Sequence, residues 1–178
     1  MGRRVVLLRG INLGPNKRVP MAELRELFSG AGFDEVRTYV QSGNVVVSSD
    51  ADPGELEQQA ERLIAERFGF EVPVLVRTRD ELAAVVERNP LGDVARDPKR
   101  YQVSFLGGEL EEEDVQRLAE LAKGGERVLA DGRELYAWHP DGVARSKLWA
   151  KLAGAGLGVK ATARNWKTVT TLLEMADA

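Results

Sequence analysis

Three cations, Arg9, Lys17 and Arg18, punctuate one short stretch, Arg9-Gly-Ile-Asn12-Leu-Gly-Pro-Asn16-Lys17-Arg18, which leaves a β-rich run and leads into a helical pattern. Glycine-permitted backbone, amide side chains and positive charge at the start of a helix are the ingredients of an anion site. A second polar stretch, Gln41-Ser42-Gly43-Asn44, supplies a hydroxyl and further amides. No Gly-Lys-Ser/Thr follows the glycines, so the loop is not a Walker A phosphate cradle. A plainer reading stands beside this one: Gly10, Gly14 and Pro15 shape a long connection, Asn12 and Asn16 satisfy its backbone, and the cations are solvated.

A further basic segment, Thr162-Ala-Arg164-Asn165-Trp166-Lys167-Thr168, also opens a helical pattern. Arg164 and Lys167 at that helix start suit a phosphate or carboxylate ligand, with Asn165 counted beside Arg164 in the candidate site, while the simpler assignment makes Thr162 or Asn165 an N-cap and Trp166 a core anchor. Other chemistry is scarce. The chain has no cysteine and one histidine, His139, which the following Pro140-Asp141-Gly142 marks as a surface or turn residue. No metal site and no cofactor is expected. Ser42 lacks the flanking glycines and strand-to-helix setting of a nucleophile elbow. Asp52-Pro53 reads as a helix cap and first turn rather than a magnesium site.

The elements that must position these residues follow from periodicity. Val5 to Arg9 reads as a strand, and Met21, Leu24, Leu27 and Phe28 as a helix entered through Pro20. Val36–Gln41 and Asn44–Ser48 flank Ser42-Gly43 as a hairpin. Leu56, Ala60, Leu63 and Ile64 mark a second helix, and Val72–Arg77 a fourth strand. The order βαββαβ is the split βαβ of ferredoxin-like folds, with first and third strands central. Its first and second strands run the same way, which brings the Arg9–Arg18 loop and the Gln41–Asn44 turn to one end of the sheet. Thr78 and Glu81 then form a capping box for a linking helix over 79–89.

The cycle repeats after a polar stretch, with strands Tyr101–Leu106, Arg127–Ala130, Glu134–His139 and a short Val159–Ala163, helices around Val115–Leu121 and Leu148–Leu152, and a final helix from Trp166. The chain is therefore expected to be α+β, two ferredoxin-like βαββαβ halves packed together with extra linking and C-terminal helices. The halves are placed at 1–90 and 91–178. Val5–Leu8 and Val45–Val47 are apolar on both faces, so the sheet face without helices needs a cover, from the other half or from a partner. Neither strand carries the aromatics of an RNA-recognition module.

With 43% hydrophobic and 30% charged residues the chain has a globular composition, and its formal charge of −3 disfavours a generic nucleic-acid coat. Its first apolar run is too short for a signal peptide or membrane span. A cytoplasmic protein without membrane contact is expected.

Leu8-Arg-Gly-Ile-Asn12, Lys17-Arg-Val-Pro-Met-Ala-Glu-Leu24, Tyr39-Val-Gln-Ser-Gly-Asn44 and Ala163-Arg-Asn-Trp166 together resemble a bacterial family described as a domain of unknown function, number 1697. The resemblance spans nearly the whole chain and implies a two-part α+β fold of ferredoxin-like character, with no established activity, substrate or cofactor. Ala163 and Lys167 stand where the family pattern has threonine and asparagine. Three function classes remain: a binding protein for an anionic ligand (phosphorylated small molecule, nucleotide or nucleic-acid backbone) using Arg9, Asn12, Lys17, Arg18, Gln41, Ser42 and Asn44; a protein-interaction scaffold; and a metal-independent phosphotransfer or hydrolytic enzyme.

Overall fold

The computed structural model describes residues 1–154 and 156–178. It contains two four-stranded antiparallel sheets. The first is built by β1 (Arg3–Leu8), β2 (Asp34–Tyr39), β3 (Asn44–Ser48) and β4 (Val74–Thr78), in the order β2-β3-β1-β4, with α1 (Met21–Gly30) and α2 (Pro53–Phe68) in the crossovers. The second follows the same plan: β5 (Tyr101–Leu106), β6 (Arg127–Asp131), β7 (Glu134–Trp138) and β8 (Ala161–Asn165), ordered β6-β7-β5-β8, with α4 (Glu112–Leu121) and α5 (Lys147–Ala153). An α3 helix (Arg79–Arg88) links the sets and α6 (Trp166–Asp177) closes the chain. Both sheets thus have the βαββαβ order expected.

By contact density the chain forms two compact units, Met1–Ala83 with Leu172–Ala178, and Ala84–Thr171. The chain passes from one to the other inside α3 and returns inside α6.

In the N-terminal unit, one face of the sheet presents Val6, Leu8, Val45, Val47, Val74 and Val76 to Leu24 and Phe28 of α1 and Leu56, Ala60 and Ile64 of α2. These helices form where the sequence permits. Asp52 caps α2 through Gly54 N (3.0 Å), Pro53 occupies its first turn, and Gly69 ends it in the left-handed region. Thr78 and Glu81 exchange reciprocal bonds, Glu81 N to Thr78 Oγ1 and Thr78 N to Glu81 Oε1, as a capping box for α3. On the opposite face Val5, Leu7, Val46, Leu75 and Arg77 are also buried.

The second unit packs Leu106, Leu135, Ala137 and Ala161 against Leu118, Leu148 and Leu152. Its other sheet face carries Tyr101, Val103, Phe105 and Tyr136. Tyr136 donates its hydroxyl to Val85 O (3.1 Å), Tyr101 accepts from Leu91 N (3.4 Å), and Trp166 stacks on Tyr101 with centroids 4.7 Å apart. Burial pushes the Tyr101 phenol up to about 12. The last strand lies two residues beyond the Val159–Ala163 expected, because Thr162 and Arg164, not Val159, are the side chains that pair with β5.

Candidate functional site

β1 and β2 both run antiparallel to β3, and Leu7 and Tyr39 both align with Asn44. The loop after β1 and the turn between β2 and β3 therefore emerge at the same end of the sheet, as the topology required. Leu8 N donates to Gly43 O (2.8 Å) and Arg9 N to Pro73 O (3.0 Å), which fixes the root of the loop. At Gly43 φ is +88°, and a Cβ there would lie 2.6 Å from Leu8 Cβ and 2.9 Å from Ile11 Cδ1. Only glycine lets the turn press this closely on the strand and loop.

Asn12 is the clamp between the two segments. Its backbone N–H donates to Lys17 O (3.1 Å). Its Nδ2 donates to Val19 O (2.9 Å) and to Gln41 O (2.8 Å), and its Oδ1 accepts from Val19 N (2.9 Å). One side chain thus ties the loop's beginning to its end and to the hairpin turn. Its φ of 56° belongs to the left-handed region, which asparagine tolerates better than most residues. Asn44 is fully buried and donates Nδ2 to Tyr39 O (3.0 Å) and Ser42 Oγ (2.9 Å), closing the turn from within.

Both asparagines are engaged in architecture. The groups facing outward are Lys17, Arg18, Gln41 and Ser42, with Arg9 half-exposed at the loop's root. Among the described residues, no ion pair engages Lys17 or Arg18. Two apolar side chains stand beside them: Leu13 is 85% exposed and Val40 50%. Val40 has φ 49°, a strained conformation for a β-branched residue.

The second basic segment belongs to the other unit. Arg164 is buried in β8, donating Nη1 to Thr162 Oγ1 (2.6 Å) and Ala163 O (2.9 Å), and burial pulls its guanidinium down to about 10, still cationic at neutral pH. Asn165 Oδ1 accepts from Thr168 N (2.9 Å), the bond of an N-cap on α6. Both side chains therefore have roles inside the fold.

Residues 1–136 match the family model described as a protein of unknown function, DUF1697. The chain is a member of the DUF1697 family. A solved structure similar to this DUF1697 protein is that of the conserved bacterial protein SP0830 from Streptococcus pneumoniae, with a TM-score of 0.77, 24% identity and 98% of each chain covered. At that identity the likeness concerns the fold. No curated protein matches the chain.

The sequence reading of the DUF1697 protein missed one polar cluster. His139 is fully buried, not a surface residue, and its Nδ1 donates to Glu126 Oε2 (2.5 Å). The same oxygen accepts from Ser146 Oγ (2.5 Å), which in turn accepts from Trp149 N (3.0 Å) at the start of α5. Burial works to raise the Glu126 carboxyl, but the hydrogen bonds from Ser146, His139 and Lys123 N and the nearby imidazole outweigh it and hold the carboxyl below its ordinary value. The set contains serine, histidine and acid without the geometry of a nucleophile triad. There the serine and the acid use opposite ring nitrogens; here both face Nδ1, with Ser146 Oγ 3.4 Å from it, and His139 Nε2 is buried with no hydrogen-bond partner.

Among the described residues no cluster of three or more metal-ligating side chains occurs, and no helix is long and apolar enough to cross a membrane.

Proposed function

We propose that this protein binds a phosphate-bearing anionic ligand through the Arg9–Arg18 loop and the Gln41–Asn44 turn. The observation that carries the reading is the Asn12 clamp. It holds an exposed loop of cations in fixed register with a turn whose residues Gln41 and Ser42 are exposed. The clamp stabilises the loop as a connection, and it also holds exposed Lys17 and Arg18, which pair with no acid among the described residues, in a fixed arrangement. Pre-ordering of this kind lowers the entropy cost of seating a ligand. Exposed cations such as Lys17 and Arg18, in no ion pair among the described residues, suit phosphate groups presented by a ligand that approaches from solvent. The cysteine-free composition fits a reducing compartment, and we place the protein in the cytoplasm.

The test is fluorescence anisotropy with a labelled polyphosphate chain at two salt concentrations. The Lys17→Ala/Arg18→Ala double variant should bind more weakly, with a salt slope reduced by about two. Equal affinity and slope in the two proteins would refute the reading.

A second reading, a protein-interaction scaffold, is favoured by the exposure of Leu13 and Val40 at the same end of the sheet. It predicts that Leu13→Ser weakens capture of a protein partner while leaving polyphosphate binding unchanged.

A further inference from the structure

The second unit contains a cavity of about 580 Å³, within the range of small-molecule sites, between the turn that precedes β6 and the segment that joins β7 to α5. Lys123, Arg145 and Lys147 line it, and among the described residues none of these cations is in an ion pair. The carboxylates of the wall differ in their state. Glu126 is occupied by Ser146, His139 and Lys123 N, whereas Asp141 is exposed and, among the described residues, pairs with no cation. Gly124 and Gly142 sit at φ +63° and +83°, so the two turns that form the walls carry no side chains there, and a Cβ on Gly124 would come within 3.4 Å of Asp141 Oδ2. The wall is therefore a close-set backbone rim with positive charge around it and one available acceptor, with Leu121 and Ala144 adding apolar surface.

We infer that this cavity binds a small phosphomonoester whose body carries hydroxyl donors, of the sugar-phosphate type. The phosphoryl dianion meets Lys123, Arg145 and Lys147, where its charge is matched by cations that are in no ion pair among the described residues. The hydroxyls meet Asp141, an acceptor that accommodates a donor and rejects a second anion. The Ser146–Glu126–His139 set is a positioning device: it anchors the segment bearing Arg145 and Lys147 to the turn bearing Lys123, so the cations converge on one space. The inference stands on residues of the second unit and is independent of the Arg9–Arg18 loop.

The experiment is calorimetric titration of the full chain with ribose 5-phosphate, ribose and inorganic phosphate, alongside amide chemical-shift mapping of the unmodified protein. Ribose 5-phosphate should bind saturably and about tenfold or more tighter than ribose, with the largest shifts at Gly124 and Gly142. Arg145→Ala/Lys147→Ala should weaken it at least about tenfold, Asp141→Asn should weaken ribose 5-phosphate but not inorganic phosphate, and Lys17→Ala/Arg18→Ala should leave it unchanged. Equal binding of ribose and ribose 5-phosphate, absence of saturable binding, shifts centred away from the two glycines, or loss of binding in the loop variant would each overturn the inference. The mapping decides the matter even if a variant fails to fold.

Discussion

Replacing Asn12 by alanine removes the three side-chain hydrogen bonds that join the loop after β1 to its own end and to the hairpin turn. Each such bond contributes about 0.5–1.5 kcal/mol net. Because Asn12 is half-exposed and water replaces part of what is lost, we take the three together as roughly 2 kcal/mol. Alanine at φ 56° adds a conformational cost of about 1 kcal/mol. The expected loss is roughly 3 kcal/mol, or a fall of about 6–12 °C in Tm for a chain of this size. Asn12→Gly keeps the left-handed backbone free of strain and should lose only the first part. The assay is urea denaturation followed by far-UV circular dichroism, with tryptophan fluorescence as an internal reference, since Trp138, Trp149 and Trp166 all belong to the other unit. Amide exchange at Val19, whose N–H donates to Asn12 Oδ1, should accelerate in both variants. If Asn12→Ala costs under about 0.5 kcal/mol and Val19 stays protected, the clamp does not hold the loop and the reasoning built on it fails.

Gly43→Ala should destabilise the N-terminal unit by about 2–4 kcal/mol, because the new Cβ overlaps Leu8 and Ile11 at a backbone conformation alanine avoids; a melt indistinguishable from the parent would disprove the close approach. Tyr136→Phe removes one of two donors to Val85 O, which also accepts from Asn89 N (3.3 Å), and should cost about 0.5–1.5 kcal/mol in chemical denaturation, whereas a neutral result would show that the buried hydroxyl contributes nothing net. The Glu126 carboxyl titrates below its ordinary 4.5 in the folded chain, so the unfolded chain takes up the proton first and stability rises with pH through that range. Its contribution is full at neutral pH and is lost as pH falls below about 4.5. A Glu126→Gln variant should accordingly show a flatter acid limb in stability against pH, and an unchanged limb would contradict the assignment.

The strand order, the hairpin at Gly43 and the capping box at Thr78 were legible because each rests on local chemistry: alternation, a residue with access to positive φ, a hydroxyl three positions before a carboxylate. The last strand was harder to place. Ala161-Thr-Ala-Arg-Asn165 contains a single β-branched residue, and pairing with β5 rather than propensity makes it a strand. His139 looked like a turn residue from Pro140-Asp141-Gly142, yet its environment is set by Glu126 on the far side of a hairpin, a relation no periodicity encodes. Asn12 shows the limit for function. Its type marks a polar site, but whether its amide faces a ligand or the chain's own carbonyls depends on where Val19 and Gln41 arrive in space. Arg77 and Arg164 likewise occupy the same position in their respective last strands, each buried, where a charged residue type predicts exposure.

The return of the chain through α6 sets an order of events during synthesis. Leu172–Ala178 belong to the N-terminal unit, where Arg3 donates to Ala178 O, Arg37 to Met175 O and Arg79 pairs with Asp177. Those partners leave the ribosome after all of Ala84–Thr171 has been made. The unit whose first residues emerge earliest is therefore the last to acquire all its parts, and a fragment ending at Ala83 lacks the C-terminal partners of Arg3, Arg37 and Arg79. Vectorial synthesis ordinarily favours the leading domain; in this chain the trailing unit has every segment available first, and the nascent N-terminal unit waits for the partners that the end of the chain brings to Arg3, Arg37 and Arg79.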